Sequence, residues 1–269
     1  MRRAILLALS IVLSALASAA AAQDDLLARV EAAGTLRVAN TQGHAPWDFL
    51  DDDNRLTGLG IDLANELAAR MGIGKVEFVP ARFPDLIPGI QANRFDLVIA
   101  GHTITEERSK IVDFSLPYMA IGTSVFVRTG DERIRTLDDL DGKSVGTLAG
   151  SITEGYLAAE HGDKKLDVRA YENAALALSD LAVGRVDAVI YSDDAGAYIA
   201  RINALPVVRA VQVNREINAM VFRKGEDRFG QALNAAFRSI IDDGTYSSLS
   251  AKWLGSVDMA AELKKAAAD

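Results

Sequence analysis

Nine consecutive residues, Ala100-Gly101-His102-Thr103-Ile104-Thr105-Glu106-Glu107-Arg108, carry the chemistry most readily read from this chain. They follow the apolar run Phe95-Asp96-Leu97-Val98-Ile99 and lead into a helix start, so they sit at a strand end. Within that span lie free backbone groups, a hydroxyl and a guanidinium. Arginine pairs with a carboxylate through two parallel hydrogen bonds, and unsatisfied helix N–H groups add positive character beside it. No residue of the segment reads as a nucleophile or a general base. The chemistry is anion capture, with a carboxylate as the natural guest.

The surrounding elements alternate short apolar runs with amphipathic segments, the pattern of an α/β fold. Strands are expected at Leu36–Ala39, Val76–Val79 and Phe95–Ala100. Helices are expected where Ile61, Ala64, Leu67, Ala68 and Met71 recur at helical spacing, and from Pro84 to Asn93. A second half repeats the plan: strands Ser144–Leu148, Asp167–Tyr171 and Val186–Tyr191, helices Ile152–Glu160 and Ala174–Val183. Asn93-Arg94-Phe95-Asp96-Leu97-Val98-Ile99 is echoed by Gly184-Arg185-Val186-Asp187-Ala188-Val189-Ile190. Two similar halves imply two lobes with a cleft between them. Ligands of open parallel sheets sit beyond the carboxyl ends of the strands. Those ends are Ala100-Gly101 in one half and Tyr191-Ser192-Asp193 in the other, which sets the Arg108 grip opposite the acids Asp193 and Asp194. Opposite charges on facing walls suit a zwitterion. An Asp at position 193 equally suits the cap of the following helix, and Trp47 and Phe83 equally suit a core. The C-terminal stretch returns with a strand, Ala219–Arg223, and helices through Leu254, expected on the first lobe. Chain crossings near Met119–Gly122 and Val211–Arg215 would form a hinge.

Composition narrows the class. Arg2 and Arg3, the apolar run Ala4–Ala17 and the small residues Ala20-Ala21-Ala22 have the form of a secretory signal peptide, residues 1–22, too short in its apolar part to span a bilayer. The mature chain of 247 residues then starts at Gln23. Cysteine is absent, which excludes disulfides, thiolate metal sites and the lipid attachment of a bacterial lipoprotein. An exported protein with no lipid anchor points to a periplasm. The full chain carries 29 basic and 37 acidic residues; losing Arg2 and Arg3 takes the net charge from -8 to -10, which argues against nucleic acid or anionic lipid as partner.

Taken in order, several segments resemble a known family. They are Gly34-Thr35-Leu36-Arg37-Val38, Ala45-Pro46-Trp47, Leu56-Thr57-Gly58-Leu59-Gly60-Ile61-Asp62-Leu63-Ala64 and Asp85-Leu86-Ile87-Pro88. Ile104-Thr105-Glu106-Glu107-Arg108, Val112-Asp113-Phe114-Ser115-Leu116-Pro117-Tyr118, Gly184-Arg185-Val186-Asp187-Ala188 and Asp243-Gly244-Thr245-Tyr246 complete the set. Together the chain resembles a type II periplasmic solute-binding protein (family 3) of the polar amino-acid ABC transporter group. The resemblance implies two Rossmann-like lobes joined by a two-stranded hinge: residues 23–120 with 214–269, and residues 121–213. It implies a monomeric receptor that closes on an amino acid, delivers it to an inner-membrane ABC permease, and needs no metal or cofactor.

Residue by residue, the resemblance places Arg108 on the ligand α-carboxylate, helped by Thr103 and by N–H groups of Gly150-Ser151-Ile152. The carbonyl of Gly101 and a second-lobe Asp would hold the α-ammonium. His44 and Phe83 stand where the family sets rings against the ligand side chain. The ammonium-binding Asp falls five residues after the Asp of Gly-Arg-Val-Asp; here that place is Ser192, so a bulge bringing Asp193 into register is required. Basic ligands often go with an acid where this chain has Thr41, so a polar or neutral amino acid is expected. The alternative on the same fold is an enzyme like the cyclohexadienyl dehydratases, which needs a general acid in the cleft; Asp193, Asp194, His102 and His44 are the candidates, with His161 the third histidine of the chain.

Overall fold

The computed structural model describes residues 25–160, 165–255 and 257–267. The signal-peptide segment and His161 lie outside the described residues. Eleven strands and ten α-helices are arranged within them. In chain order the first half contains α1 (Leu26–Ala33), β1 (Thr35–Asn40), β2 (Gly43–His44), β3 (Asp48–Leu50), β4 (Leu56–Thr57), α2 (Leu59–Arg70), β5 (Lys75–Pro80), α3 (Phe83–Gln91), β6 (Leu97–Thr103) and α4 (Glu106–Ser109). A long strand, β7 (Val112–Arg128), leads into β8 (Ser144–Leu148), α5 (Ile152–Glu160), β9 (Asp167–Tyr171), α6 (Ala174–Ala182), β10 (Ala188–Ser192) and α7 (Asp193–Ile202). A second long strand, β11 (Val207–Arg223), returns to α8 (Asp227–Asp242), α9 (Thr245–Leu254) and α10 (Met259–Ala266).

The eight-stranded sheet runs β5-β1-β6-β11-β7-β10-β8-β9. Its outer strands are parallel within each half, β1 with β5 and β6 on one side, β8 with β9 and β10 on the other. In the middle, β7 and β11 pair antiparallel from Val207↔Arg128 to Arg223↔Val112, so both belong to both halves. The expected crossings at Met119–Gly122 and Val211–Arg215 are the central parts of these two strands. Register shifts fall between Gln212 and Asn214 and between Asn218 and Ala219, on either side of the pairs Arg215↔Gly122 and Glu216↔Ile121. A ladder interrupted on both sides of a short regular stretch bends more readily there. The strand β11 is far longer than the expected Ala219–Arg223. Its early part is exposed and polar on one face, which hides it from a search for apolar runs.

The internal echo has one structural cause in both copies. Asp96 donates its N–H to the carbonyl of Arg37 at 2.9 Å, and its carboxylate accepts the N–H of Arg37 at 3.0 Å. Asp187 repeats this with Ser144, N–H to carbonyl at 2.9 Å and carboxylate to N–H at 3.0 Å. Each Asp thus aligns the entry of one strand with the start of its parallel neighbour. Before each copy the helix ends in a left-handed residue, Asn93 (φ 56°) or Gly184 (φ 78°), as helix ends commonly do.

Packing is divided in the same way. Leu36, Leu63, Leu67, Tyr118, Phe229 and Phe237 form a core under the first-half helices. Phe126, Leu178, Leu181, Val189 and Ile199 form one in the second half. The C-terminal helix α10, which periodicity did not reveal, plugs the back of the hinge: Met259 is buried and accepts from the N–H of Ala120. Helix α7 lies so close to β7 that a Cβ on Gly196 would stand 2.4 Å from Cζ of the buried Phe126. Gly196→Ala should therefore lower stability by roughly 1–3 kcal/mol, the usual range for overpacking, read as a lowered Tm; an unchanged Tm would show that α7 can move off the sheet.

Candidate functional site

Strand β6 ends at Thr103, and Thr105 caps the short helix α4 by accepting the N–H of Arg108 at 3.1 Å. That turn fixes Arg108 one turn after the sheet edge, where its guanidinium donates to the carbonyl of Thr103 at 3.1 Å. The other arm of the fork reaches the carbonyl of Gly150 in the second half at 3.3 Å. Opposite it, Ser151 caps α5, accepting the N–H of Glu154 at 3.2 Å, while Glu154 reaches back to the N–H of Gly150 at 2.7 Å. This reciprocal cap leaves the N–H groups of Ile152 and Thr153 beyond the reach of any intrahelical carbonyl, and both residues line the cavity. Guanidinium and helix start together make an anion seat assembled from both lobes.

The cavity between the lobes has a volume of about 80 Å³. Arg108, Thr103, Gly101, Ser151, Ile152, Phe83 and His44 all line it. Gly101 has a positive φ of 68° and donates its N–H to the Tyr118 hydroxyl at 2.8 Å. A Cβ there would crowd the His44 ring at 3.2 Å, so glycine at 101 is what lets the imidazole lie along the strand end. Phe83 stacks on His102 with ring centroids 4.5 Å apart and planes 13° from parallel. His102 is 1 % exposed, and burial with the nearby charge of Arg108 pushes its pKa down to about 3. It is a neutral packing partner behind Phe83 and does not line the cavity.

Asp193 is a correction to the expected site. Strand β10 pairs with β7 in unbroken register through Ser192↔Thr123, and α7 begins at Asp193 with no bulge between. The helix turns both acids away from the cavity. Asp193 lies over Gly122 at the back of the hinge and pairs with Arg209 at 3.2 Å. Asp194 accepts from the Trp47 indole at 2.6 Å and from the Ser192 hydroxyl at 2.5 Å. Ser192 itself lines the cavity. Two glutamates that pattern reading passed over do so as well: Glu172, exposed at the mouth, and Glu216, half-buried on the hinge strand β11. Glu216 accepts from the hydroxyls of Thr103 at 2.6 Å and Thr123 at 2.8 Å. The Thr103 proton is therefore committed to Glu216 and not directed at the anion seat. No motif marked Glu216, because it sits in the polar part of a strand whose length the sequence concealed.

The lobes touch well beyond the anion seat. His44 meets Tyr191 edge-on at 5.8 Å, and Phe49 meets Tyr198 at 5.9 Å. Ala45 and Phe49 pack into the second-half core. Trp47 and Asp194 close the same side. This is a shut cleft around an acid-lined, arginine-anchored cavity.

The chain matches the bacterial extracellular solute-binding proteins, family 3, over residues 36–256. It belongs to that family. The L-cystine-binding protein TcyJ of Escherichia coli K12 is 34% identical over 236 residues, covering 87% of this chain and 88% of that protein. An ancestral arginine-binding protein bound to arginine has a TM-score of 0.79 at 37% identity, covering 82% of this chain and 99% of that one. The ancestral amino acid-binding protein AncCDT-1, a precursor of cyclohexadienyl dehydratase, has a TM-score of 0.78 at 35% identity, covering 85% and 99%. The family 3 solute-binding fold accounts for the two lobes and two-stranded hinge seen here, and these three relatives are named for binding amino acids. Among the described residues no helix is long and apolar enough to cross a membrane.

A buried carboxylate next to the cavity residues Thr41 and His44 responds to pH. Asp48, 1 % exposed, accepts from the N–H and hydroxyl of Thr41 and the N–H of Gln42, all on one oxygen. Its other oxygen has no partner and lies 3.9 Å from Nδ1 of His44. Burial raises the Asp48 pKa to about 7, overcoming those hydrogen bonds, and lowers that of His44 against the charge of Asp194. The folded protein thus holds a proton on Asp48 that the unfolded chain releases near its ordinary carboxylate pKa of about 4. That contribution is complete below pH 4 and disappears as pH rises through 7. Asp48→Asn should flatten the fall of Tm from pH 4 to pH 8 by several degrees relative to wild type. Identical slopes in thermal melts across that range would refute the assignment.

Proposed function

We propose that the protein is a periplasmic receptor that binds a polar or neutral amino acid between its lobes and delivers it to an ABC import permease, without chemical change. In this reading residues 1–22 are the export signal. Residues 23–120 with 214–269 form the lobe that carries Arg108, and residues 121–213 form the lobe that carries α5. The observation that carries it is the anion seat: a half-buried guanidinium, held by a helix cap and a strand carbonyl, facing the first-turn N–H groups of a helix on the other lobe. Burial lowers the Arg108 pKa, opposed by Glu216 and Glu107, so the cation is in a site where a paired carboxylate gains most. The relatives bind amino acids, and the α-carboxylate is the anion every amino acid shares.

The proposed side-chain subsite is walled by His44, Phe83, Tyr191 and Met119, with Thr41 at its edge. The Thr41 hydroxyl is bonded to Asp48 and offers no charge, which supports a neutral ligand over lysine or arginine. Of the acids nominated for the enzymatic alternative, Asp193 and Asp194 turn away from the cavity and His102 is sealed behind Phe83. His44 lines the cavity with a pKa lowered by burial, which disfavours a proton donor.

Thermal melting of the mature protein against the twenty L-amino acids and L-cystine tests the reading. A compound a thousandfold above its Kd stabilises by about 4.1 kcal/mol, or roughly 8–16 °C at this length. A small set of neutral hits is expected; lysine or arginine as leading hits would overturn the specificity, and no hit would overturn the amino-acid reading. Arg108→Ala should abolish those shifts while the unliganded Tm stays within a few degrees of wild type. Undiminished binding in that variant would remove the carboxylate seat from the argument.

A further inference from the structure

We propose that Glu216, on the hinge strand, is the acceptor for the ligand α-ammonium, a task that the resemblance assigns to a second-lobe Asp. The inference rests on the amino-acid reading above. The second-lobe place is taken by Ser192, which is uncharged, and the neighbouring acids are bound elsewhere, Asp193 to Arg209 and Asp194 to Trp47 and Ser192. A zwitterion cannot have its cation left unpaired in a shut cavity without a heavy desolvation cost, so another acid must serve. Of the two glutamates on the wall, Glu172 is exposed at the mouth and Glu216 is half-buried on the floor.

Position singles out Glu216. It acts electrostatically on Arg108, so carboxylate seat and acid are neighbours, as they must be for two groups carried on one carbon. Its hydrogen bonds also set the polarity of what surrounds it. A hydroxyl has one proton to give. Thr103 and Thr123 both give theirs to Glu216, which leaves their oxygens as acceptors. Two residues along the strand, Asn218 also lines the cavity. Carboxylate and two hydroxyl oxygens form a floor that accepts hydrogen bonds, complementary to an ammonium group with three protons. A carboxylate has about four lone-pair positions, and the threonines use two. Because Glu216 pairs with Ile121 in the hinge ladder, the ammonium would be held at the pivot itself and not by the moving lobe.

The test is isothermal titration of the twenty L-amino acids and L-cystine, each beside its des-amino carboxylic acid, into wild type and Glu216→Gln. The amide keeps an acceptor for the threonines but removes the charge. Charge-assisted hydrogen bonds correspond to roughly 10- to 100-fold in affinity, and a loss of that size is expected for the amino-acid hits. The des-amino partners should bind both proteins within twofold. Should Glu216→Gln not fold, Glu216→Asp replaces it, and a loss confined to the amino acids supports the assignment. Equal amino-acid affinity in wild type and variant, or equal losses for both members of each pair, overturns the Glu216 assignment alone. A wild-type protein that binds none of the amino acids overturns the receptor reading and this inference with it.

Discussion

The constraint on which this molecule depends is the pairing of two strands that each belong to both lobes. β7 and β11 are hydrogen-bonded to one another from end to end, so neither lobe can leave the other, and the freedom between them is confined to one bend. Everything that grips is placed by its distance from that ladder. Arg108 hangs from the end of β6, which pairs with β11, and α5 hangs from β8, two strands beyond β7. A small rotation about the ladder separates the guanidinium from the helix start, and with it the two halves of the anion seat. The hydrophobic cores on either side hold the remainder rigid, which turns a diffuse chain motion into a single angular coordinate.

Charge placement follows from the same architecture. An isolated cation in a shut cleft is costly, and Arg108 is kept charged by carbonyl partners and by Glu216 beside it. Two residues that line the cavity, His44 and Asn218, each also hold a buried polar atom without a protein partner. Such atoms are rare in finished cores because each loses its hydration for nothing.

Much of the fold was legible because alternation and turn chemistry are local. Ser144–Leu148, Ile152–Glu160 and Asp167–Tyr171 stand in the structure with the bounds their residues suggest, and the Asn93–Ile99 echo proved to be a repeated aspartate clamp. The anion seat was legible for the same reason: strand, hydroxyl, cap and arginine are contiguous. What could not be read depended on through-space geometry. Whether Ser192 or Asp193 faces the cleft is decided by where β10 stops, and the helix began one residue too early for the acid to turn inward. Glu216 was hidden in a stretch of alternating polar residues, since an edge of exposed hinge strand has no apolar signature. Sequence names the residues of a local device; it does not name those that arrive from across the molecule.

The contacts between Trp47 and Asp194, between Phe49 and Tyr198, and of Ala45 with the second-lobe core lie outside the set that lines the cavity floor. Whatever they contribute to holding the lobes together is present with or without a guest. A receptor of this kind has two adjustable quantities, the intrinsic strength of its grip and the fraction of time it stands shut when empty, and only their product is seen as affinity. Residues on the rim can therefore set how tightly the protein binds without taking part in deciding what it binds. A permease that recognises the shut shape would also meet it unladen in proportion to that same fraction.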